Sequence, residues 1–198
     1  MNMTRQQKAI LTVSAAAMTL TPSIAWSHPE IFHHFTLVRG FLHPLTGLDH
    51  VLAMTSVGLW ASQKGGRALW ALPLGFISAM LIGGAFGIAG LALPMIEPMI
   101  AASVLVLGLL IASATVLPLW AGTALVMLFA VFHGNAHGLE APETGQGLLY
   151  AVGFAVATAL LHGFGIGLGL TMRGERWGKF VRAGGVVTAS VGAMLFFV

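Results

Sequence analysis

No cysteine occurs among the 198 residues, which excludes a disulfide framework and any thiolate metal site. Charge is nearly as scarce. Only 8% of residues are Asp, Glu, Lys or Arg, about a third of the roughly 25% that soluble domains use to cover their surface. Such a chain cannot clothe a water-facing globule. With 57% hydrophobic residues and a mean hydropathy of +0.91, its natural solvent is lipid. The net charge of +3 is small, and the basic residues sit in short loops rather than on one face. Nucleic acid is therefore not an expected partner. Alternating polarity of the kind a membrane β-barrel requires is missing too, so the fold class is all-α.

Residues 1–27 have the organisation of a secretory signal. Arg5 and Lys8 supply a basic start, Ala9 to Leu20 an apolar core of 12 residues, and Pro22 a helix break. Ala25-Trp26-Ser27 places a cut before His28, with Ser23-Ile24-Ala25 as a second acceptable site. The remainder, 28–198, is predicted as a single transmembrane helical domain. Six apolar stretches, at 41–62, 68–91, 97–114, 116–138, 147–171 and 180–198, each approach the roughly 20 residues needed to cross a bilayer.

Basic residues set the expected orientation. Lys64, Arg67, Arg173, Arg176, Lys179 and Arg182 fall in or beside the loops after the first and fifth stretches, and only Arg39 of the mature chain lies opposite. The positive-inside rule then places those two loops in the cytoplasm and the mature N-terminus outside. Trp60, Trp70, Trp120 and Trp177 are read as interfacial anchors. The glycine pairs Gly83/Gly87, Gly163/Gly167 and Gly165/Gly169, each four apart, are read as packing positions that let helices approach. The ten methionines form no cluster in the sequence and are read as core or lipid-facing.

Three polar features interrupt the apolar pattern. The first is Phe41-Leu42-His43-Pro44-Leu45-Thr46-Gly47-Leu48-Asp49-His50. On one continuous helix, with Pro44 in its first turn, His43 and His50 share a face and Asp49 lies about 9 Å below His43. An aspartate inside a span costs roughly 2.5–3.5 kcal/mol to insert, so it faces the bundle interior and has a partner or a task. The second is Phe132-His133-Gly134-Asn135-Ala136-His137-Gly138-Leu139-Glu140. His133, His137 and Glu140 follow the i, i+4, i+7 spacing of a single helix face, and two imidazoles one turn apart suit one transition metal. Gly134 and Gly138 leave room beside the imidazoles or end the helix early. The third is His162, alone in the fifth stretch, either a helix–helix hydrogen bond or a deeper ligand.

The first stretch runs inward and the fourth outward, so the first two clusters meet at the external face although more than 80 residues separate them. His28, His33 and His34 are external as well. A free amine at His28 would add a chelating nitrogen beside its imidazole. Candidate metal residues are thus His43, Asp49, His50, His133, His137 and Glu140, with His162 and His28 as outlying members. Imidazole suits nickel, cobalt, zinc and copper. These residues alone leave three functions open: a metal permease, an intramembrane metal-dependent hydrolase with a carboxylate as base, and a metal-binding sensor or chaperone without transport.

Two motifs carry a resemblance. His-x5-Asp-His, here His43 to His50, and Phe-His-Gly-x-Ala-His-Gly-x-Glu, here Phe132 to Glu140, resemble those of the HupE/UreJ family of hydrogenase and urease accessory membrane proteins. The resemblance extends over essentially the whole chain. It implies a multi-pass protein of the bacterial inner membrane that is not an enzyme and carries no prosthetic group. Its partners are the lipid bilayer and a divalent metal ion, nickel or alternatively cobalt, taken up for nickel enzymes. Homo-oligomer formation stays open.

Overall fold

In a computed structural model, the structure describes residues 36–141 and 146–197. The predicted signal peptide and His28, His33 and His34 lie outside them. The described residues form seven α-helices and no strand: α1 Thr36–Thr46, α2 Leu48–Lys64, α3 Ala68–Ile88, α4 Ile96–Ser113, α5 Leu119–Leu139, α6 Gly147–Thr171 and α7 Glu175–Leu195. Four of them, α3 to α6, are long and apolar enough to cross a membrane. Their outward residues are large and apolar: Leu74, Leu148, Leu160 and Phe164 are all exposed. The buried core is equally apolar, with Met54, Val57, Trp60, Leu72, Phe76, Leu107 and Val126 wholly enclosed. Apolar inside and out is what a lipid-solvated bundle requires, because the hydrophobic effect does not sort the two faces there.

The first apolar stretch is not one helix. Gly47 adopts an extended conformation (φ −89°, ψ 121°) and divides it into α1 and α2. Pro44 sits in the last turn of α1 rather than the first turn of a longer helix. Lacking an N–H, it cannot propagate the i→i−4 ladder, and Thr46 Oγ1 donates instead to the His43 carbonyl at 2.8 Å. At the other end of α2, Gly65 and Gly66 take left-handed φ values of 69° and 55°. Two such residues in succession reverse the chain into α3 at little steric cost.

Glycine sets the closest approaches. α3 packs most extensively on α5. There the Cα atoms of Gly83 and Gly87 face the backbone of Val131, Asn135 and Leu139, while those of Gly134 and Gly138 face Met80 and Gly84. A side chain at any of the four would collide with main chain. The glycines of the second polar motif therefore serve this seam rather than making room for imidazoles, and α5 continues through both to Leu139. Gly58 and Gly165 join α2 to α6 in the same reciprocal manner, and Gly40 and Gly153 join α1 to α6. Gly165 and Gly169 both pack against α2, but Gly163 and Gly167 face open space, so only one of the two overlapping pairs is an interface. Trp60 is wholly buried, its indole N–H donating to the Thr115 carbonyl at 3.0 Å. It is a core residue, whereas Trp70, Trp120 and Trp177 are exposed as interfacial residues are.

Candidate metal centre

The break at Gly47 places the first group of polar side chains. On a continuous helix His43 and His50 would be separated by about 10 Å of rise. With the chain turned at Gly47 their ring centroids are 6.1 Å apart and nearly perpendicular. α5 supplies the second group: His137 projects between α1, α2 and α6, and His133, one turn away, meets α2, α3 and α4. His137 lies 4.6 Å from the His43 ring, 4.5 Å from the His50 ring and 4.3 Å from the ring of Phe154 on α6.

His137 is the junction. Its Nε2 faces His50 Nε2 at 2.5 Å, and its Nδ1 lies 3.5 Å from the Glu140 carboxylate. Glu140, at the C-terminal end of α5, also lies 3.5 Å from His43 Nε2. His43, His137 and Glu140 offer ligand atoms all within 4.8 Å of one another. His43 is partly exposed and Glu140 more than half exposed, while His50 and His137 are buried. The group therefore grades from an open mouth to an enclosed pair.

Hydrogen bonds fix which nitrogens are free. His50 Nδ1 is 2.8 Å from Asp49 Oδ1, so Nδ1–H donates to the carboxylate and the lone pair resides on Nε2. The Glu140 carboxylate, 3.5 Å from His137 Nδ1, makes no hydrogen bond there. His50 Nε2 therefore accepts and His137 Nε2–H donates across the 2.5 Å contact, while His137 Nδ1 has no hydrogen-bond partner among the described residues; the carboxylate behind His50 is the arrangement that orients metal-ligating histidines and makes them more basic. Two imidazoles on one ion stand about 3 Å or slightly more apart for bonds of about 2.1 Å, so a small outward rotation of the rings admits an ion. Asp49 stands behind His50 rather than beside His137. Its carboxylate is placed to orient the His50 ring.

His133 lies one turn deeper, its ring 5.2 Å from that of His50 and fully buried. Its Nε2 is 2.9 Å from Ser103 Oγ on α4. That hydroxyl has one proton, given to the Ile100 carbonyl at 2.6 Å, so His133 Nε2–H is the donor and Nδ1 keeps its lone pair. Nδ1 meets no partner among the described residues. Ser103 was not singled out by sequence: a lone serine in an apolar helix commonly bonds its own turn, and nothing local marks it as reaching His133. We expect Ser103→Ala to weaken nickel binding about tenfold, the usual consequence of losing an imidazole's outer partner. Titration of the purified protein measures this, and an unchanged Kd would remove His133 from the ligand set.

Asn135, inside the same motif, has a structural task. Its Oδ1 accepts from Leu93 N at 2.8 Å, and its Nδ2 donates to the Leu91 and Gly83 carbonyls at 2.8 and 3.3 Å, fastening the α3–α4 connection to α5. Glu97 is exposed in the first turn of α4, where a carboxylate complements the helix dipole. His162 is set apart from the cluster. It lies on α6 at 1% exposure, with its ring edge-on to Phe76 at 5.1 Å.

Comparison with known proteins agrees with the motifs. The profile of the family described as "HupE / UreJ protein" matches residues 16–195. The chain is 43% identical over 185 residues to "Protein HupE" of Rhizobium leguminosarum bv. viciae, an alignment covering 93% of this chain and 96% of that one. No solved structure matches. Carrying the profile over nearly its full length, together with a relative of this identity and coverage, the chain belongs to the HupE/UreJ family.

Proposed function

We propose that the protein is a membrane permease for a divalent transition metal ion, nickel foremost and cobalt as the second candidate, serving the assembly of nickel enzymes such as hydrogenase or urease. The observation that carries this reading is the opposed pair of His50 and His137 Nε2 atoms, with Asp49 bonded to His50 and Glu140 3.5 Å from His137. Neutral imidazoles supply borderline donors suited to nickel and cobalt. Asp49 and Glu140 supply the two negative charges that let a divalent cation sit in an apolar bundle, where bare charge is costly. The His43–Glu140 mouth captures the ion, His137 passes it to His50, and His133 takes it deeper.

The chain crosses a bacterial inner membrane six times in this reading. α1 and α2 together make the first crossing and α3 to α7 the other five. The histidine end faces outward, and the end bearing Lys64, Arg67, Arg173, Arg176, Lys179 and Arg182 faces the cytoplasm. The reading is of a carrier and not of an enzyme. Asp49 is committed to His50 at 2.8 Å, and Glu140 stands between two imidazoles, so neither carboxylate is placed as a free general base beside an open metal position.

The test is nickel entry into proteoliposomes that hold the purified full-length chain and an internal metal-sensitive dye. Nickel should enter well above the rate of protein-free vesicles, with cobalt slower and zinc slower still. Equal rates with and without protein would sink the permease reading, and tight binding without flux would point to a sensor.

A further inference from the structure

Below the histidine pair, three helices each present one more turn to the same interior line. On α2, Met54 follows His50 by four residues. On α6, Thr158 follows Phe154 by four and is followed by His162 after four more. On α3, Met80 and Phe76 are likewise one turn apart. Residues four apart on a helix share a face. These side chains meet: Thr158 Oγ1 lies 3.3 Å from the Met54 sulfur and 3.7 Å from the Met80 sulfur. One turn on, the His162 ring stands edge-on to Phe76 at 5.1 Å. The same Phe76 ring is 5.9 Å from His133, so it lies between the upper histidines and His162. All five side chains are buried at 2% exposure or less.

A purely structural assignment leaves two facts unexplained. A histidine kept at 1% exposure for packing ordinarily spends its ring nitrogens on hydrogen bonds. Both nitrogens of His162 meet no partner among the described residues. The second fact concerns two thioethers from different helices that share one hydroxyl proton, which can satisfy only one at a time. Polar and polarizable atoms are thus gathered, partly unsatisfied, in the most enclosed layer of the bundle. They lie on the line that the upper histidines begin.

We propose that Met54, Met80, Thr158 and His162 form a second, inner station for the metal ion, with thioether sulfur and imidazole nitrogen as its donors. This rests on the permease reading above. The donor set contains no carboxylate. It therefore holds a divalent ion less firmly than the outer pair, as a passage site must if the ion is to leave it. The softness of thioether ligands also makes this layer chemically different from the all-nitrogen-and-oxygen mouth, so an ion meets two selections in succession. Phe76 stands between His133 and His162, and its ring must turn aside for an ion to pass from one to the other.

Nickel(II) added to the full-length protein in detergent, two equivalents per chain, is examined by X-ray absorption at the nickel edge, alongside flux into proteoliposomes. Met54→Leu/Met80→Leu removes both sulfurs at nearly constant volume, a change that cores tolerate well. Wild type should show sulfur neighbours. The double variant should lose them, keep one nickel with nitrogen and oxygen neighbours at the outer pair, and carry nickel at least tenfold more slowly. Should the double variant fail to purify folded, Met80→Leu alone replaces it, and the wild-type spectrum decides in any case. A wild-type spectrum without sulfur, or flux unchanged in the double variant, overturns the inner station. Wild type without flux overturns the permease reading separately, since the spectrum still reports whether nickel meets the thioethers.

Discussion

Replacing His137 by alanine is expected to abolish nickel uptake, lowering it at least about 100-fold, the upper end of what loss of a ligand's supporting partner costs. Among the described residues, no other side chain joins both halves of the centre. Its Nδ1 faces Glu140 at 3.5 Å and its Nε2 faces His50 at 2.5 Å, so the substitution disconnects the mouth from the enclosed pair. His43→Ala should cost far less, because His43 is partly exposed and Glu140 also reaches His137. Initial uptake rates at matched protein density decide between them, with His137→Gln as a check that the fold tolerates a neutral side chain there. Uptake above a tenth of wild type in His137→Ala would separate His137 from the path.

The second large effect is expected at a residue that need not touch the ion. Asp49→Ala should weaken nickel binding about 10- to 100-fold, the range found when an imidazole's carboxylate partner is removed. The 2.8 Å contact to His50 Nδ1 holds the ring in the tautomer that bares Nε2, and its negative charge raises the basicity of that nitrogen. Asp49→Asn separates these two roles. Its amide oxygen still accepts from Nδ1–H, so orientation survives and charge does not. An intermediate loss is expected in Asn, between wild type and Ala, by calorimetric titration. Equal losses in Asn and Ala would assign the whole effect to charge, and no loss in either would reduce Asp49 to a packing role.

Much of this architecture is legible in the residues, for a physical reason. A lipid-solvated chain must satisfy its backbone within each segment, so long apolar runs read as helices: the stretches at 68–91 and 147–171 correspond to α3 and α6. The polar motifs stand out because ionisable groups are expensive there. What was not legible depended on which neighbour a face meets. Gly163 and Gly165 belong to the same pattern of four-residue spacing, yet one faces open space and the other the α2 backbone. Trp60 resembles the other tryptophans until Gly122 of α5 and the Thr115 carbonyl meet it. Met54 and Met80 are 26 positions apart and become neighbours only through Thr158. The break at Gly47 carried a readable signal. Proline followed three residues later by glycine is a common stop, but the apolar run around it spoke more strongly for one helix.

The backbone-to-backbone glycine contacts divide the helices around the centre into two stiff blocks. α3 and α5 are clasped through Gly83, Gly87, Gly134 and Gly138, while α1 and α2 are each clasped to α6 through Gly40, Gly153, Gly58 and Gly165. His133 and His137 ride on the first block, His43 and His50 on the second. Between α2 and α5 it is imidazoles rather than main chain that meet. In the proposed permease, an ion held by His50 and His137 would act as a rivet between these two groups of helices. A movement that parted them would then break its coordination as well, so that release of the ion and separation of the helices would be one mechanical event.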